Sequence, residues 1–527
     1  MAQQDDGSGR APVVIVRPTT SVTSGVAVTQ KLVGAAVAFG DILRRTFGPN
    51  GLDKMMYKTN GENAITNDGA KIVADLLVKH PAAKAFVQLA DSQENACGDG
   101  VTGCLLFASE LMKEAGRLLE RGVHPLALVE AYQHSVTSAV EILEQYSMSD
   151  IDRNSLESVA MTAMVGKSAE AGGTDLAKLL VEAMMTVKES GRPIRAEYVR
   201  MAKRGYDSLN ETRLIKGVVL DKKFDSERTP KISQPSKVVA LTCPLSLQKT
   251  KRDAEIEIER PDQMMAFLDA EEKLIEEKIR AIVTTGANVV FTSKEVDDRI
   301  QHACNSAGIL LVGMLEDDGI EDIAAATGAK LVNHLDDIDG ENLGRVQSAL
   351  VHVSEHEDGR RTRLIVDVGD ASGLVTLDVG GGQGAAVEEY IRAMYDALRS
   401  LECVLEKPAT ILGGGSFHVA AALHLRERAE SVSGRQRLAI EGFARALETI
   451  PSTLALNAGE DQIDTLLQLR AAHRTKSKQF GVCKDGTIGE MEDVLLSSYT
   501  VSHALQAAVE TTCGLLRVDQ VISSRGD

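Results

Sequence analysis

Thr66-Asn67-Asp68-Gly69-Ala70 and Cys97-Gly98-Asp99-Gly100-Val101-Thr102-Gly103 decide how this chain is read. Each sets an aspartate against glycine, which lets the backbone turn tightly and approach a ligand closely. An apolar helical stretch joins them. The two turns are therefore expected to bring two carboxylates toward one charged ligand, such as a metal-bound phosphate. A single Asp-Gly pair is usually no more than a turn. What raises these two above that is their company.

Upstream, Phe47-Gly48-Pro49-Asn50-Gly51-Leu52-Asp53-Lys54-Met55 places a Gly-Pro-x-Gly turn after a helical stretch. Such a turn is rigid and suits backbone contact with a phosphate. In the second aspartate loop Gly98, Gly100 and Gly103 bracket the acid, and Thr102 adds a hydroxyl. Gly413-Gly414-Gly415 follows the strand-like Ala409-Thr410-Ile411-Leu412, and three successive glycines leave room for a flat ring. Farther on, Ile391, Met394, Leu398, Leu401 and Leu405 form one apolar helical stripe. Asp396 points away from that stripe, toward solvent or a cleft.

Bulk composition bounds the rest. A chain of 527 residues is too long for one compact core, so two to four domains are expected. Hydrophobic content of 43% and charged content of 25% are those of a soluble globular protein. Aromatics are scarce and Trp is absent, so the cores must be aliphatic. A net charge of −18 argues against nucleic acid and against an anionic membrane surface. Seven cysteines without a CxxC pair read as free thiols in a reducing compartment. The polar start and the lack of a long apolar run predict neither a secretory signal nor a membrane span, hence a cytoplasmic protein.

Along the chain, residues 1–12 and roughly the last five read as loose tails, and residues 29–144 are mostly helical. The middle differs. The apolar runs 237–242, 287–292, 308–313 and 329–332 alternate with helical stretches such as 262–284, which predicts an α/β domain with partly parallel pairing. Helical periodicity returns from about residue 385, so two helical ends could pack together with the middle inserted. Residues 253–268 couple an alternating, strand-like piece to a helix bearing Met264, Met265, Phe267 and Leu268. The plainer expectation is a helix buried against the sheet; the other is an exposed element whose methionines meet non-native apolar surface. Val379–Gly384 lacks dinucleotide-loop spacing, and His352 with His356 stand in a polar, irregular-looking stretch without a third metal ligand.

These motifs occur in an order that resembles the group II chaperonins, the archaeal thermosome and its eukaryotic cytosolic relative. The matching segments are 47–55, 66–70, His80-Pro81-Ala82-Ala83-Lys84, 98–100, Gly166-Lys167 and 413–415. Leu214–Val219, Pro261–Met264, Asn457-Ala458-Gly459, Leu469–His473 and Leu516–Asp519 add to them, so the likeness runs from about residue 20 to 522. The resemblance implies a multi-domain α+β and α/β fold. An equatorial ATP-binding domain would comprise residues 1–152 and 405–527, an intermediate hinge domain 153–223 and 373–404, and an apical substrate-binding domain 224–372 with a lid protrusion at about 255–277. It also implies ATP and Mg²⁺ as cofactors, other subunits in a double ring as partners, and non-native proteins as clients. By the same resemblance Asp99 would ligate Mg²⁺, with Gly100, Val101, Thr102 and Gly103 cradling phosphate. Phe47, Gly48 and Pro49 would lie along the nucleotide, and Gly414 and Gly415 would flank the nucleoside. Asp68 and Asp396 would orient and activate the attacking water, Lys167 would sense the γ-phosphate, and Gly166 would stand beside it among the nucleotide-binding residues.

The chain also departs from the family. Val101 and Gly103 remove two of three hydroxyls customary after the Gly-Asp-Gly turn, each able to contribute on the order of 1.5–3 kcal/mol to a bound phosphate. Asn50 stands where Lys is common, His418 where a glutamate is expected, and Ser497 near the place of an acid thought to hold the ribose. The leading expectation is an ATP-driven chaperonin subunit. The alternative is a divergent ring subunit with weak or absent ATPase and a structural or client-binding role. A metabolic α/β enzyme finds no independent catalytic set in the middle domain.

Overall fold

The computed structural model describes residues 20–57, 63–76, 78, 80–205, 208–222, 229–246, 261–356, 359–381, 384–475 and 480–524. The expected tail at 1–12, the strand-like start of the 253–268 segment and the beginning of the expected lid lie outside them. The chain divides into two compact units, one formed by residues 1–149 with 409–527 and the other by 150–408.

The first unit is mainly helical. The N-terminal segment supplies helices Val26–Arg44, Gly69–Asp75, Pro81–Cys97, Val101–Glu120 and Pro125–Tyr146. The C-terminal segment supplies Ser416–Glu430, Arg435–Leu447, Thr449–Ala458, Gln462–Thr475 and Ser498–Leu516. Both segments share one core, in which Phe443 meets the rings of Phe107 and Tyr132 edge-on at 5.5 and 5.8 Å. Val101–Glu120 buries most of its length, and Glu110, Lys113, Arg117 and Glu120 line up on the one side that is not fully buried. Val26–Arg44 packs closely on it: a Cβ at Gly40 would fall 2.2 Å from Ser109 Oγ. Two helices start on one device. His80 and His124 each accept, through Nδ1 at 3.2 Å, the N–H of the residue two positions on. Pro81 and Pro125 follow at the first helical positions, where the missing N–H is no loss and φ is already set. Thr20–Ser24 pairs antiparallel with Gln520–Ser524. The end of the chain is therefore a paired strand as far as Ser524 rather than loose from about residue 523, because a partner strand satisfies its backbone.

The second unit holds the α/β part. Ser236–Leu241, Val289–Thr292 and Leu310–Val312 pair in parallel in that order, and Leu331–Val332 joins Ser236–Leu241 in parallel on its other edge. These are the four apolar runs expected as strands, joined by the helical crossovers that parallel pairing needs. Gly344–Val346 adds to the sheet antiparallel. Ser348–His356, Gly359–Asp367 and Gly217–Asp221 make an antiparallel sheet. His352 and His356 thus stand on a regular strand, because continuous pairing with Gly359–Asp367 overrides their polar surroundings. Val375–Val379 lies between Val199–Lys203 and Arg213–Ile215, and helices Arg153–Met164, Gly173–Glu189 and Ala385–Glu406 belong to the same unit. In helix Pro261–Thr284, Ile275 and Ile282 are buried in the sheet's core while Met264, Met265 and Leu268 are exposed. The expectation of a helix buried against the sheet is met only by its C-terminal half.

One buried ion pair of the first unit gives a clear test. Glu114 is 2% exposed and accepts from Arg445 at 2.7 Å and from Arg117, whose side chains are 45% and 57% exposed. Losing the carboxylate lets both cations rehydrate, whereas losing the cations strands a buried charge. Arg445→Ala combined with Arg117→Ala is expected to lower the thermal midpoint well below that of Glu114→Gln, by several degrees in differential scanning calorimetry.

Candidate functional site

Within the first unit the two aspartate turns meet. Asp68 caps helix Gly69–Asp75: its N–H donates to Thr66 Oγ1 at 3.1 Å and its Oδ1 accepts from Ala70 N–H at 3.0 Å. Asp99 lies between Gly98 (φ +65°), which closes Pro81–Cys97, and Gly100 (φ +79°), which opens Val101–Glu120. Two left-handed residues around one aspartate reverse the chain between packed helices, a conformation glycine adopts without strain. The loops touch directly, since a Cβ at Gly69 would fall 2.3 Å from Thr102 Oγ1. The hydroxyl that this chain keeps is thereby seated on the Asp68 turn.

Helix Thr449–Ala458 brings the other loops to the same place. A Cβ at Gly48 would lie 2.4 Å from Leu454, one at Gly415 2.8 Å from Pro451, and one at Gly103 3.9 Å from Ile450. Asn457 Nδ2 donates to the carbonyls of Arg44 and Phe47 at 2.9 and 2.8 Å, fixing the turn that carries Pro49. The Phe47 ring approaches within 3.4 Å of a Cβ at Gly103. Asn50 donates to the Lys484 carbonyl at 2.5 Å, so the residue that replaces Lys ties this turn to the hairpin Phe480–Val482/Ile488–Glu490. Sequence reading gave this helix no part in the site. Its signals along the chain were Asn457-Ala458-Gly459, among the segments that carry the family resemblance, and Pro451, placed in a first helical turn where the missing N–H is tolerated.

The glycine triplet differs from expectation. Gly414 (φ +60°) and Gly415 (φ +74°) turn the strand Thr410–Leu412 into helix Ser416–Glu430. Added Cβ atoms at Gly413, Gly414 and Gly415 would strike Val494, Met491 and Pro451 at 2.5, 2.5 and 2.8 Å. On the Cβ side, then, protein atoms fill the room anticipated for a flat ring. His418 follows on the helix. Burial pushes its imidazole down to about 4, so an uncharged ring stands where a glutamate was expected.

Val101, Thr102 and Gly103 open a helix whose N-cap, Gly100, has no side chain to accept their N–H groups. Such groups, backed by the helix dipole, favour an anion. Among the described residues no three His, Cys, Asp or Glu side chains form a metal-binding group. A divalent cation at Asp99 would take its remaining oxygens from phosphate and water, as Mg²⁺ commonly does. The donor set thus fits a metal-bound phosphate.

The second unit carries the remaining expected residues. Lys167 Nζ donates to Asp396 Oδ2 at 2.8 Å. Gly166 (φ +77°) donates its N–H to Glu170 Oε2 at 3.0 Å, bracing the turn that begins at Lys167. Asp396 is only 6% exposed, so it does not face solvent; Lys167 covers it and neutralises it. A carboxylate so placed requires that partner.

The sequence profile of the TCP-1/cpn60 chaperonin family matches residues 39–525. The chain is 36% identical over 519 residues to thermosome subunit beta of Methanothermobacter thermautotrophicus, covering 98% of this chain and 95% of that protein. It is 37% identical over 523 residues to thermosome subunit beta of Archaeoglobus fulgidus, with the same 98% and 95% coverage. To the thermosome subunit of Methanocaldococcus jannaschii it is 36% identical over 524 residues, again 98% and 95%.

His418 sets a pH dependence. Its folded-state value of about 4 lies below the unfolded value of 6.5, so the unfolded chain binds more protons in that interval. Stability is present above the unfolded value and is lost as pH falls from about 6.5 toward 4. His418→Gln is expected to flatten the thermal midpoint in that window, read by melting curves at stepped pH. Gly415→Ala puts a methyl group on Pro451 in a left-handed position. Hydrogen exchange is expected to quicken together in residues 47–51 and 449–458, while exchange in residues 289–312 stays unchanged.

Proposed function

Because the chain belongs to the TCP-1/cpn60 chaperonin family, and its fold is the multi-domain α+β chaperonin fold, we propose that it is an ATP-hydrolysing subunit of a double-ring group II chaperonin. The observation that carries the chemistry is the seating of Thr102 on the Asp68 turn at the open N-terminus of Val101–Glu120. The N–H groups of Val101, Thr102 and Gly103 would receive the phosphates, and Asp99 would hold Mg²⁺, whose charge would offset that of the phosphate oxygens. Phe47, Gly48 and Pro49 lie along the nucleotide, and Gly414 and Gly415 border the nucleoside. Asp68 and Asp396 orient the attacking water and take its proton, and Lys167, held by Asp396 at 2.8 Å before any phosphate competes for it, reports the γ-phosphate through the Gly166 turn. Catalysis of this kind is mostly positioning and charge stabilisation.

In this reading residues 1–152 with 405–527 form the equatorial domain, 153–223 with 373–404 the intermediate domain and 224–372 the apical domain, with the lid at about 255–277. Met264, Met265 and Leu268, exposed on their helix, meet the apolar surface of non-native clients, since methionine adapts its shape cheaply. Among the described residues no helix is long and apolar enough to cross a membrane, and the charge of −18 disfavours nucleic acid. The assembly would work in the cytoplasm.

Val101 and Gly103 favour a second reading, a ring subunit with weak or absent ATPase that contributes geometry or client contacts. Two substitutions separate the readings. Asp396→Ala is expected to cut phosphate release by about 100-fold or more with nucleotide binding and particle size retained; equal turnover, or no Asp396-dependent turnover in intact rings, favours the second. Gly103→Thr restores a hydroxyl at a position with 3.4 Å to the Phe47 ring. It is expected to tighten ATP binding about tenfold by isothermal titration calorimetry.

A further inference from the structure

We propose that Gln93 is a positioning residue for Asp99, and that through it helix Ser498–Leu516 sets the direction of the Asp99 carboxylate. The inference rests on the reading of Asp99 as the metal ligand. Gln93 lies on Pro81–Cys97 and is 0% exposed. Its Nε2 donates to the carbonyl of Asp99 at 3.0 Å and to that of Thr500 at 3.3 Å. Its Oε1 is 2.7 Å from His503 Nδ1.

Chemistry fixes this amide in one orientation. Reversed, it would set an oxygen against two carbonyls and an NH₂ against the histidine. An amide oxygen only accepts, so His503 Nδ1 carries the hydrogen between them. Gln93 therefore spends one donor on the peptide of Asp99, a second on helix Ser498–Leu516, and its acceptor on that same helix. Thr500 reinforces the link, its Cγ2 standing 3.1 Å from where a Cβ on Gly100 would lie, and Ser497 Oγ accepts its N–H at 3.4 Å.

The clamp matters because of what flanks Asp99. Gly98 and Gly100 both hold left-handed φ values, and neither has a side chain to restrain the peptide between them. The Asp99 carboxylate follows that peptide's orientation. A hydrogen bond to the Asp99 carbonyl itself, anchored in a buried amide, supplies the restraint the glycines lack. Partners standing behind a metal ligand typically change metal affinity or activity 10–100-fold when removed. The signal was invisible along the chain, since Gln93 and His503 are 410 residues apart.

The test uses the assembled full-length protein and a non-hydrolysable fluorescent ATP analogue, titrated at stepped Mg²⁺. For Gln93→Met, which keeps length and loses both donors, the Mg²⁺ concentration at half-maximal binding is expected to rise 10–100-fold. Binding of the analogue without Mg²⁺ is expected to stay unchanged. His503→Leu, at a half-buried position, is expected to shift the same midpoint in the same direction by a smaller factor, and Gln88→Ala on the exposed face of that helix not at all. An unchanged Mg²⁺ midpoint in Gln93→Met overturns the inference, as does an equal loss of binding with and without Mg²⁺. If Gln93→Met does not assemble, an unchanged midpoint in His503→Leu overturns it. Wild-type binding that ignores Mg²⁺ altogether would overturn the metal role of Asp99, and is thereby distinguishable from a failure of Gln93 alone.

Discussion

Pro81–Cys97 and Val101–Glu120 are locked into the helical core, and the chain must reverse between them within three residues, Gly98-Asp99-Gly100. Only glycine on both sides of the aspartate allows that reversal without strain. The consequence is a deeply buried helix whose first N–H groups have no cap and end at the edge of the core. The other loops are arranged around that one defect in the backbone pairing. The Asp68 turn seats Thr102, and Thr449–Ala458 holds the turn at 47–51 and the glycine triplet. Thr500 packs on Gly100 from a third direction. An anion site of the kind proposed would tolerate Val101 and Gly103 in place of hydroxyl-bearing residues, because its donors belong to the main chain.

The second unit contributes a different kind of constraint. Its Lys167–Asp396 pair is a largely buried charge with its counter-charge. Structural ion pairs elsewhere in the unit tie strands together, as Arg204 and Arg363 do on Asp378 at 3.0 and 2.6 Å. Lys167 instead precedes a short turn and reaches Asp396 in the middle of the long helix Ala385–Glu406.

Much of this was legible along the chain. The four strands announced themselves as apolar runs between turn residues, and the aspartate turns by their glycines. The burial of Asp396 was not legible. Ala385–Glu406 also buries Ala393, Ala397, Ser400 and Glu402, small or polar residues that hydropathy assigns to an exposed face. Met264, Met265 and Leu268 err the other way: they are apolar yet exposed, since nothing among the described residues covers them. The roles of Thr449–Ala458 and of Gln93 depend on contacts between segments hundreds of residues apart, which no local period encodes. The glycine triplet reads along the chain as room for a flat ring, whereas on its Cβ side the neighbouring atoms belong to Val494, Met491 and Pro451.

The central claim is that the open start of Val101–Glu120 is where a ring-forming subunit binds the phosphates of ATP. Electron cryomicroscopy of the protein frozen with Mg²⁺ and a non-hydrolysable ATP analogue tests it most directly. The account predicts double-ring particles with phosphate density against the N–H groups of residues 101–103 and a cation beside Asp99. Nucleotide density elsewhere on the chain, or single chains that never assemble, would contradict it.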